Sequence, residues 1–290
     1  RHIERILKDM PDRIRPKVVV DCGGGTGSLI TPSLLERMGC SVIPLNCTPT
    51  GFFPRNSEPT EGNLTGLVEM VLESAADIGF AHDADADRLV VCDERGRFVP
   101  GDKLLVILAR EMRAGAIVTT VDASMSVEEQ GFSSIVRTKV GDAFVSDGLK
   151  KGGEFGGEPC GAWVFPKVTY CPDAIYAAAM VATLAAAEKL SSRVDSLPSY
   201  PMHRGSARGV KSLMCGIETE LKRLEPISTD HTDGFRATFP DGWLLVRPSG
   251  TEPKIRVTAE ARTADRVDWL YNHAIKVIQD LSSNPKGTSS

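Results

Sequence analysis

Residues 17–46 read KVVVDCGGGTGSLITPSLLERMGCSVIPLN. The β-branched run Lys17–Asp21 predicts a strand, and the glycine-rich turn after it leads into helical apolar spacing over residues 29–38. A second strand is predicted over residues 41–46. This order is a βαβ unit, which places two parallel strands in one sheet with the helix packed against it. The sequence therefore predicts an α/β fold.

The same alternation continues along the chain. Further strands are predicted at residues 78–81, 89–93, 116–121 and 134–139, and helices at residues 101–112, 127–131, 141–151 and 172–190. The polar segment 191–199 contains Pro198 and predicts a linker. Beyond it, a helix, a hairpin, a strand and a last helix predict a small α+β domain. We therefore expect two tandem three-layer α/β domains and an α+β domain, over residues 1–97, 98–199 and 200–281, with a disordered tail at 282–290.

Composition excludes several classes of protein. The 290 residues include 34 Lys+Arg and 38 Asp+Glu, for a net charge of -4. Without a block of basic residues, nucleic acid and anionic membranes are poor candidates as partners. The longest apolar stretch, Ala174–Ala187, is shorter than the roughly 20 residues that span a bilayer, and it predicts a buried helix. Seven cysteines with no C-x-x-C pair predict reduced thiols in a cytoplasmic protein.

The strongest chemical motif is DADADR at residues 83–88, directly after a predicted strand. The carboxylates of Asp83, Asp85 and Asp87 can point to one side of a curled backbone, because small alanines separate them. Oxygen ligands of this kind favour Mg²⁺, Ca²⁺ or Mn²⁺ over Zn²⁺. The alternative is a solvated acidic turn with Arg88 as its counter-ion. The motif favours a metal site.

A second motif, RPSGTEPKIR at residues 247–256, combines cationic side chains, hydroxyl groups and a glycine turn. Guanidinium groups and backbone N–H groups of this kind bind the oxygens of a phosphate monoester. The candidate ligands are Arg247, Ser249, Gly250, Thr251 and Arg256. The alternative is an ordinary turn between two strands with surface arginines.

Two glycine-rich segments are less specific. Residues 152–161 predict a loop that lets backbone approach a ligand, with Glu158 as an acceptor for hydroxyl groups, although a plain flexible loop fits equally well. The glycines at 23–27 do not form G-x-G-x-x-G, and Asn46 follows where a ribose-binding acid is expected. They predict a structural turn or an interdomain contact. His82, beside the acidic motif, is expected to pack or to support the metal ligands rather than to bind metal itself.

These loops, in this order, resemble those of the α-D-phosphohexomutase superfamily. Residues 83–88 resemble its D-G-D-x-D-R metal loop, with Ala84 in place of glycine. Residues 157–161 resemble its sugar loop G-E-x-S-G, with Cys160 in place of serine, and residues 247–251 match its phosphate loop R-P-S-G-T. The resemblance covers nearly the whole chain. It implies two phosphohexomutase-type α/β domains followed by a phosphate-binding domain.

The resemblance also implies roles for individual residues. The bound metal would be Mg²⁺, held by Asp83, Asp85 and Asp87, and Arg88 would steady the transferred phosphoryl group. Glu158 and Cys160 would bind sugar hydroxyls. The residues expected to hold the non-reacting phosphate of a hexose phosphate are Arg247, Ser249, Gly250, Thr251 and Arg256.

Other features limit or refine what the resemblance implies. The family's nucleophilic serine lies in a T-A-S-H-N-P-like loop that this chain lacks, so we expect domains two to four, a missing N-terminal domain as partner, and no activity for this chain alone. Ala162 stands where many relatives have His, so no general acid or base is assigned. The run Lys139-Val140-Gly141-Asp142 resembles that of phosphoglucosamine mutases and favours glucosamine phosphate, with mannose and glucose phosphates close behind.

Two other functions remain open from the residues. In a haloacid-dehalogenase-type phosphatase, Asp83 would be the nucleophile and Asp85 the acid, although Asp87 then stands where Thr or Val is usual. A non-catalytic module that binds Ca²⁺ or a sugar phosphate is the other possibility. The phosphate-loop motif has no place in the phosphatase.

Overall fold

The computed structural model describes residues 1–250 and 252–283. Two compact units are formed: the first comprises residues 1–119, 130–136 and 141–197, and the second residues 120–129, 137–140 and 198 onward. Within the described residues, no helix has both the length and the apolar character that crossing a bilayer requires. The boundaries of the three predicted domains stay predictions.

The first sheet carries the predicted metal loop. Its strands are β1 (Lys17–Asp21), β2 (Ser41–Leu45), β3 (Ile78–His82) and β4 (Leu89–Asp93), in the order β2-β1-β3-β4. β1 is parallel to β2 and β3, whereas β4 returns antiparallel to β3. The helices α1 (His2–Asp9), α2 (Thr31–Arg37) and α3 (Thr65–Ser74) belong to the same part of the chain. Both β3 and β4 are buried along their whole length, as expected for strands covered on both faces.

The second sheet follows in sequence. It contains β5 (Ala116–Thr120), β6 (Ser134–Thr138), β7 (Phe155–Gly157) and β8 (Trp163–Val164), in the order β6-β5-β7-β8. The helices here are α4 (Gly101–Glu111), α5 (Asp142–Lys151), α6 (Ala174–Ala187) and α7 (Leu190–Asp195). Most of α6 is buried, which confirms the prediction of a core helix rather than a membrane span.

The third sheet has five strands. They are β9 (Met202–Arg208), β10 (Ser228–Asp230), β11 (Phe235–Phe239), β12 (Gly242–Pro248) and β13 (Lys254–Ala261), and the sheet order is β10-β11-β12-β13-β9. All pairs are antiparallel. The helices α8 (Met214–Lys222) and α9 (Ala264–Ser283) contribute buried apolar side chains to one core with this sheet. The α/β and α+β composition confirms the predicted fold class.

Two predicted segments differ in part from the structure. The division between the two units, between Leu197 and Pro198, falls within the predicted linker at 191–199, but the first part of that segment is helical. The predicted linker at 191–199 begins as α7, because its polar side chains have partners on the turn after β4. The hydroxyl of Ser191 donates to Glu94, and Asp195 pairs with Arg97 at 2.9 Å. α9 runs to Ser283, into the predicted tail, and residues 284–290 lie outside the described residues.

Candidate functional site

The three acidic side chains of the DADADR motif converge. The motif forms the loop between β3 and β4, and one ligand atom each from Asp83, Asp85 and Asp87 lies within 4.8 Å of the others. Ala86 has φ 60°, in the left-handed region, so the backbone turns sharply between the last two carboxylates. The loop therefore brings the predicted metal ligands together.

The donor set fits a hard divalent cation. Asp87 Oδ1 is buried and has no hydrogen-bond partner among the residues that the structure describes. A buried carboxylate oxygen without a donor is costly, and a bound cation would satisfy it. All candidate ligands are carboxylate oxygens, which suits Mg²⁺ or Mn²⁺ better than Zn²⁺. The arrangement of Asp83, Asp85 and Asp87 therefore fits the predicted Mg²⁺ site.

Arg88 lies against the same carboxylates. Its backbone N–H donates to Asp83 Oδ1 at 3.1 Å, and its Nε lies 3.7 Å from Asp83 Oδ2 and 3.8 Å from Asp87 Oδ1. Glu58 lies 3.6 Å from Arg88 Nη1. The guanidinium is half-buried and close to the candidate metal ligands, where a phosphoryl group on the metal would meet a positive charge.

His82 supports the loop and does not belong to the ligand set. It is fully buried, its Nε2 lies 3.0 Å from Thr31 Oγ1, and its Nδ1 lies 3.1 Å from the carbonyl oxygen of Arg88. Burial lowers the pKa of His82 to about 4, so the imidazole is neutral at pH 7. The prediction that His82 packs is confirmed.

The glycine-rich turn at 23–27 packs on the metal loop. Thr26 N–H donates to the carbonyl oxygen of Ala84 at 2.9 Å. A Cβ on Gly25 would lie 2.3 Å from that same oxygen, so only glycine allows the two loops to approach. The sequence predicted a structural turn here but gave no sign of the partner.

Part of the second glycine-rich segment, which was predicted to be a loop, is a strand. Phe155–Gly157 forms β7, which is buried and runs parallel to β5. Glu158 follows it, is 6% exposed, and accepts a hydrogen bond at Oε2 from the N–H of Gly141 at 2.8 Å. The carboxylate that was expected to bind sugar hydroxyls is therefore held in place on one side by backbone. Cys160 is exposed.

Backbone pairing joins the metal loop to the predicted sugar loop. Leu89 N–H donates to the carbonyl oxygen of Gly161 at 2.9 Å, and Arg88 forms a bridge with Ala162. Gly161 has φ 106°, and a Cβ there would lie 2.7 Å from the Leu89 carbonyl oxygen. The metal loop and the predicted sugar loop are thus adjacent within the first unit.

The second unit holds the predicted phosphate loop at the turn between β12 and β13. Arg247 and Arg256 are directly opposite each other in the register of these strands, so their side chains leave the same face of the sheet. Like charges in such positions repel each other unless an anion lies near. Asp233 Oδ2 lies 3.3 Å from Arg247 Nη1 and offsets part of this charge. Ser249 N–H donates to the carbonyl oxygen of Lys254 at 2.8 Å.

A cavity of about 370 Å³ lies over this pair of arginines. Its charged lining residues are Asp122, Arg204, Arg247, Glu252, Lys254 and Arg256. Four cations against two carboxylates leave a net formal charge of +2, which suits a phosphate dianion. A Cβ on Gly250 would meet no atom within 4 Å, and Thr251 lies outside the described residues.

The sequence did not predict that Arg204 and Asp122 line this cavity. Arg204 lies on β9, which pairs with β13, and its Nη1 lies 3.6 Å from Asp122 Oδ2. The sequence of β9, MHRGSAR, has no β-branched residue and contains glycine, so its propensity does not indicate a strand. No local signal would have placed either residue at this cavity.

The acidic cluster predicts a measurable pH dependence. Burial first, and then the neighbouring Asp83 and Asp85, raise the pKa of Asp87 to about 7, against about 3.9 in an unfolded chain. The folded protein holds this proton more tightly, so the contribution of Asp87 to stability is lost as pH rises through about 7. In EDTA, we expect the melting temperature of the unmodified protein to fall relative to that of Asp87→Asn as pH rises from about 4 to about 7, and Mg²⁺ to reverse the loss. Equal pH dependence in both proteins would contradict this assignment.

Comparisons with known proteins agree with the order of these loops. Models of one family match the chain in succession: phosphoglucomutase/phosphomannomutase alpha/beta/alpha domain II over residues 1–96, domain III over residues 100–200, and the C-terminal domain over residues 211–271. The chain belongs to the phosphoglucomutase/phosphomannomutase family. The predicted resemblance is therefore confirmed, and the metal, sugar and phosphate loops fall in these matched domains in that order.

Curated relatives in this family are similar over most of the chain. A Methanocella arvoryzae protein named "Probable phosphoglucosamine mutase" is 45% identical over 287 residues, which is 96% of this chain and 65% of the relative. A Methanosarcina barkeri protein of the same name is 46% identical over 273 residues, or 91% of this chain and 62% of the relative. The chain thus spans somewhat less than two thirds of these family members.

Solved structures show the same family fold. A phosphoglucomutase/phosphomannomutase family protein from Burkholderia thailandensis has a TM-score of 0.87 at 24% identity, covering 99% of this chain and 65% of that one. An Aspergillus fumigatus N-acetylphosphoglucosamine mutase, solved with GlcNAc-6P and magnesium, has a TM-score of 0.64 at 16% identity, covering 96% of this chain and 64% of that one. At these identities the likeness establishes the fold alone.

Proposed function

We propose that this chain is the metal-binding and substrate-binding part of a phosphohexomutase, which interconverts hexose 6-phosphate and hexose 1-phosphate. The observation that carries the proposal is the three-carboxylate cluster with Arg88 beside it, joined by backbone to the loop of Glu158. A phosphatase would use the same acids, but it would need neither this sugar loop nor an arginine-lined cavity.

The chain's own residues suit the steps of such a reaction. Asp83, Asp85 and Asp87 would hold Mg²⁺, which would polarise a phosphoryl group and offset the charge that develops on its oxygens. The guanidinium of Arg88 would contact that group from the side of Asp83. Glu158, fixed by Gly141, would accept hydrogen bonds from sugar hydroxyls.

The phosphate cavity of the second unit would hold the phosphate that does not react. Arg247 and Arg256 would donate charge-assisted hydrogen bonds to its oxygens, and Ser249 and Gly250 lie in the turn beside them. Thr251 remains part of the proposal from its motif. A phosphate held in this way orients the sugar, so that either end can be presented for transfer.

Glucosamine phosphate is the favoured substrate, with mannose and glucose phosphates next. The names of the similar Methanocella and Methanosarcina proteins support this choice, as does the run Lys139-Val140-Gly141-Asp142. The magnesium in the Aspergillus structure supports the choice of metal. Cys160, in place of the family's serine, is proposed as a weaker sugar contact.

The phosphoserine nucleophile is proposed to lie in an N-terminal domain outside this chain. In the first half-reaction the phosphoserine phosphorus–oxygen bond breaks as a sugar hydroxyl attacks, which gives free serine and a hexose bisphosphate. In the second half-reaction the serine hydroxyl takes back the other phosphate. The sequence carries no motif for that serine loop, so residues 1–290 alone are proposed to bind substrate without turnover.

Phosphorus NMR tests this proposal. We expect this chain with Mg²⁺ and glucosamine 6-phosphate to give no glucosamine 1-phosphate and no inorganic phosphate over the time in which an intact phosphoglucosamine mutase reaches equilibrium. Appearance of the 1-phosphate with this chain alone would show that its nucleophile lies within residues 1–290. Release of inorganic phosphate that is lost in Asp83→Ala would instead identify a phosphatase.

A further inference from the structure

A buried ion pair lies next to the metal loop. Arg55 Nε donates to Asp21 Oδ2 at 2.8 Å, and the two side chains are only 9% and 2% exposed. Arg55 Nη2 also donates to the carbonyl oxygen of His82 at 2.6 Å. His82 directly precedes Asp83, so Arg55 connects the end of β1 to the backbone from which the metal loop begins.

The same pair connects three adjacent strands. Asp21 ends β1, and its Oδ1 accepts hydrogen bonds from Gly23 N–H at 2.7 Å and from Asn46 Nδ2 at 3.2 Å. Asn46 directly follows β2, and His82 ends β3. Because parallel strands place their carboxyl ends at one edge of a sheet, one carboxylate and one guanidinium fix the edge from which the metal loop extends.

A second route from Asp21 also reaches the metal loop. The turn that begins at Gly23 continues to Thr26, whose N–H donates to the carbonyl oxygen of Ala84. Gly24 N–H donates to the Asn46 carbonyl oxygen at 2.7 Å, which ties the turn to β2 as well. Hydrogen bonds therefore hold the backbone of the metal loop at His82 and at Ala84. The first is made by Arg55 and the second by the turn that begins at Gly23, and both of these groups are hydrogen-bonded to Asp21.

The chemistry of the Arg55–Asp21 pair favours a role in positioning the metal loop rather than in stabilising the fold. Burying two charges costs desolvation that their attraction often fails to offset, so a buried ion pair is weak grounds for expecting stabilisation. A guanidinium can bond a carboxylate and a carbonyl at once through its fixed fork, which the single ammonium group of lysine does less well. Groups that orient metal ligands in this way typically change metal affinity about 10- to 100-fold when mutated.

We propose that Arg55, held by Asp21, is a positioning residue of the metal loop: it fixes the His82 carbonyl and thereby sets the spacing of Asp83, Asp85 and Asp87 for a divalent cation. This proposal rests on the metal site of the proposed function. Arg55 itself would not be a ligand of the cation, because a guanidinium is positively charged and has no acceptor atom.

Titration of Mn²⁺, with the free ion counted by electron paramagnetic resonance, tests the proposal. We expect Arg55→Gln to raise the Kd for Mn²⁺ by about 10-fold or more. The matched control is Arg97→Gln, which removes an arginine paired at 2.8 Å with the buried Asp93 at the other end of β4. We expect Arg97→Gln to change the Kd for Mn²⁺ by less than about 2-fold. Its melting temperature should nevertheless fall by about as much as that of Arg55→Gln, because both variants leave a buried carboxylate without its arginine.

A second variant keeps the test decisive if Arg55→Gln does not fold. Arg55→Lys preserves the positive charge beside Asp21 but is expected to bridge to His82 poorly, so the Kd should again rise. A folded Arg55 variant with the Kd of the unmodified protein overturns the positioning role alone. Failure of the unmodified protein to bind Mn²⁺ overturns the metal site, and this proposal with it.

Discussion

Arg247→Ala is expected to weaken the binding of glucosamine 6-phosphate by about 10- to 100-fold. Each hydrogen bond between a charged group and its partner contributes about 1.5–3 kcal/mol, and every 1.4 kcal/mol corresponds to about a factor of 10 in Kd. Arg247 stands opposite Arg256 over the phosphate cavity, and truncation removes one of the two guanidiniums from that face. Isothermal titration calorimetry in the presence of Mg²⁺ measures the effect.

The control for this variant is Arg223→Ala. Arg223 is an exposed residue of the same unit, paired with Glu220 at 2.6 Å, and it does not line the phosphate cavity. Its removal changes the net charge equally, and the expected Kd stays within about a factor of 2 of the unmodified value. Equal losses in the two variants would show that Arg247 acts only through long-range charge.

Asp85→Asn is expected to reduce affinity for Mn²⁺ by about 10-fold or more while leaving the metal-free protein as stable as before, or more stable. Asp85 is the exposed member of the cluster, so the change scarcely alters packing. It removes one carboxylate ligand, and it also relieves repulsion that contributes to the raised pKa of Asp87. The two effects therefore have opposite signs.

Thermal unfolding with and without metal separates these effects. A ligand at about 100 times its Kd stabilises a folded protein by about 2.7 kcal/mol, so the metal-induced rise in melting temperature should largely disappear in Asp85→Asn. Asp147→Asn, which removes an exposed carboxylate paired with Lys150 of the same helix at 2.9 Å, is the matched control and should keep that rise. A full metal-induced rise in Asp85→Asn would count against the site.

The local sequence pattern was sufficient to predict a segment where the segment's own residues determine its structure. The apolar runs of β1 and β4 predicted their bounds correctly, because each is a regular strand with a buried face. The DADADR motif also predicted its own geometry. Small alanines between the three aspartates allow the backbone to curl, so the carboxylates were expected to point to one side. The structure brings their oxygens together.

The features that the sequence pattern did not predict depend on contacts between residues that are distant in sequence. β7 lies inside a glycine-rich segment and is a strand because β5 pairs with it. The carboxylate of Glu158 accepts a hydrogen bond from the N–H of Gly141, a residue 17 positions away. Arg55 sits in a long irregular segment, and its partners Asp21 and His82 lie on separate strands. No spacing rule connects these residues, because only the assembled sheet brings them together.

The most direct measurement is calorimetric titration of glucosamine, mannose and glucose 6-phosphates, with inorganic phosphate for comparison, into the unmodified chain in Mg²⁺. We expect saturable binding of one hexose phosphate per chain, tightest for glucosamine 6-phosphate, and weaker binding of inorganic phosphate, because inorganic phosphate lacks the sugar hydroxyls that Glu158 is proposed to bind. Binding of inorganic phosphate as tight as that of every hexose phosphate, or no binding of any of them, would contradict the claim that this chain carries the substrate site of a phosphohexomutase.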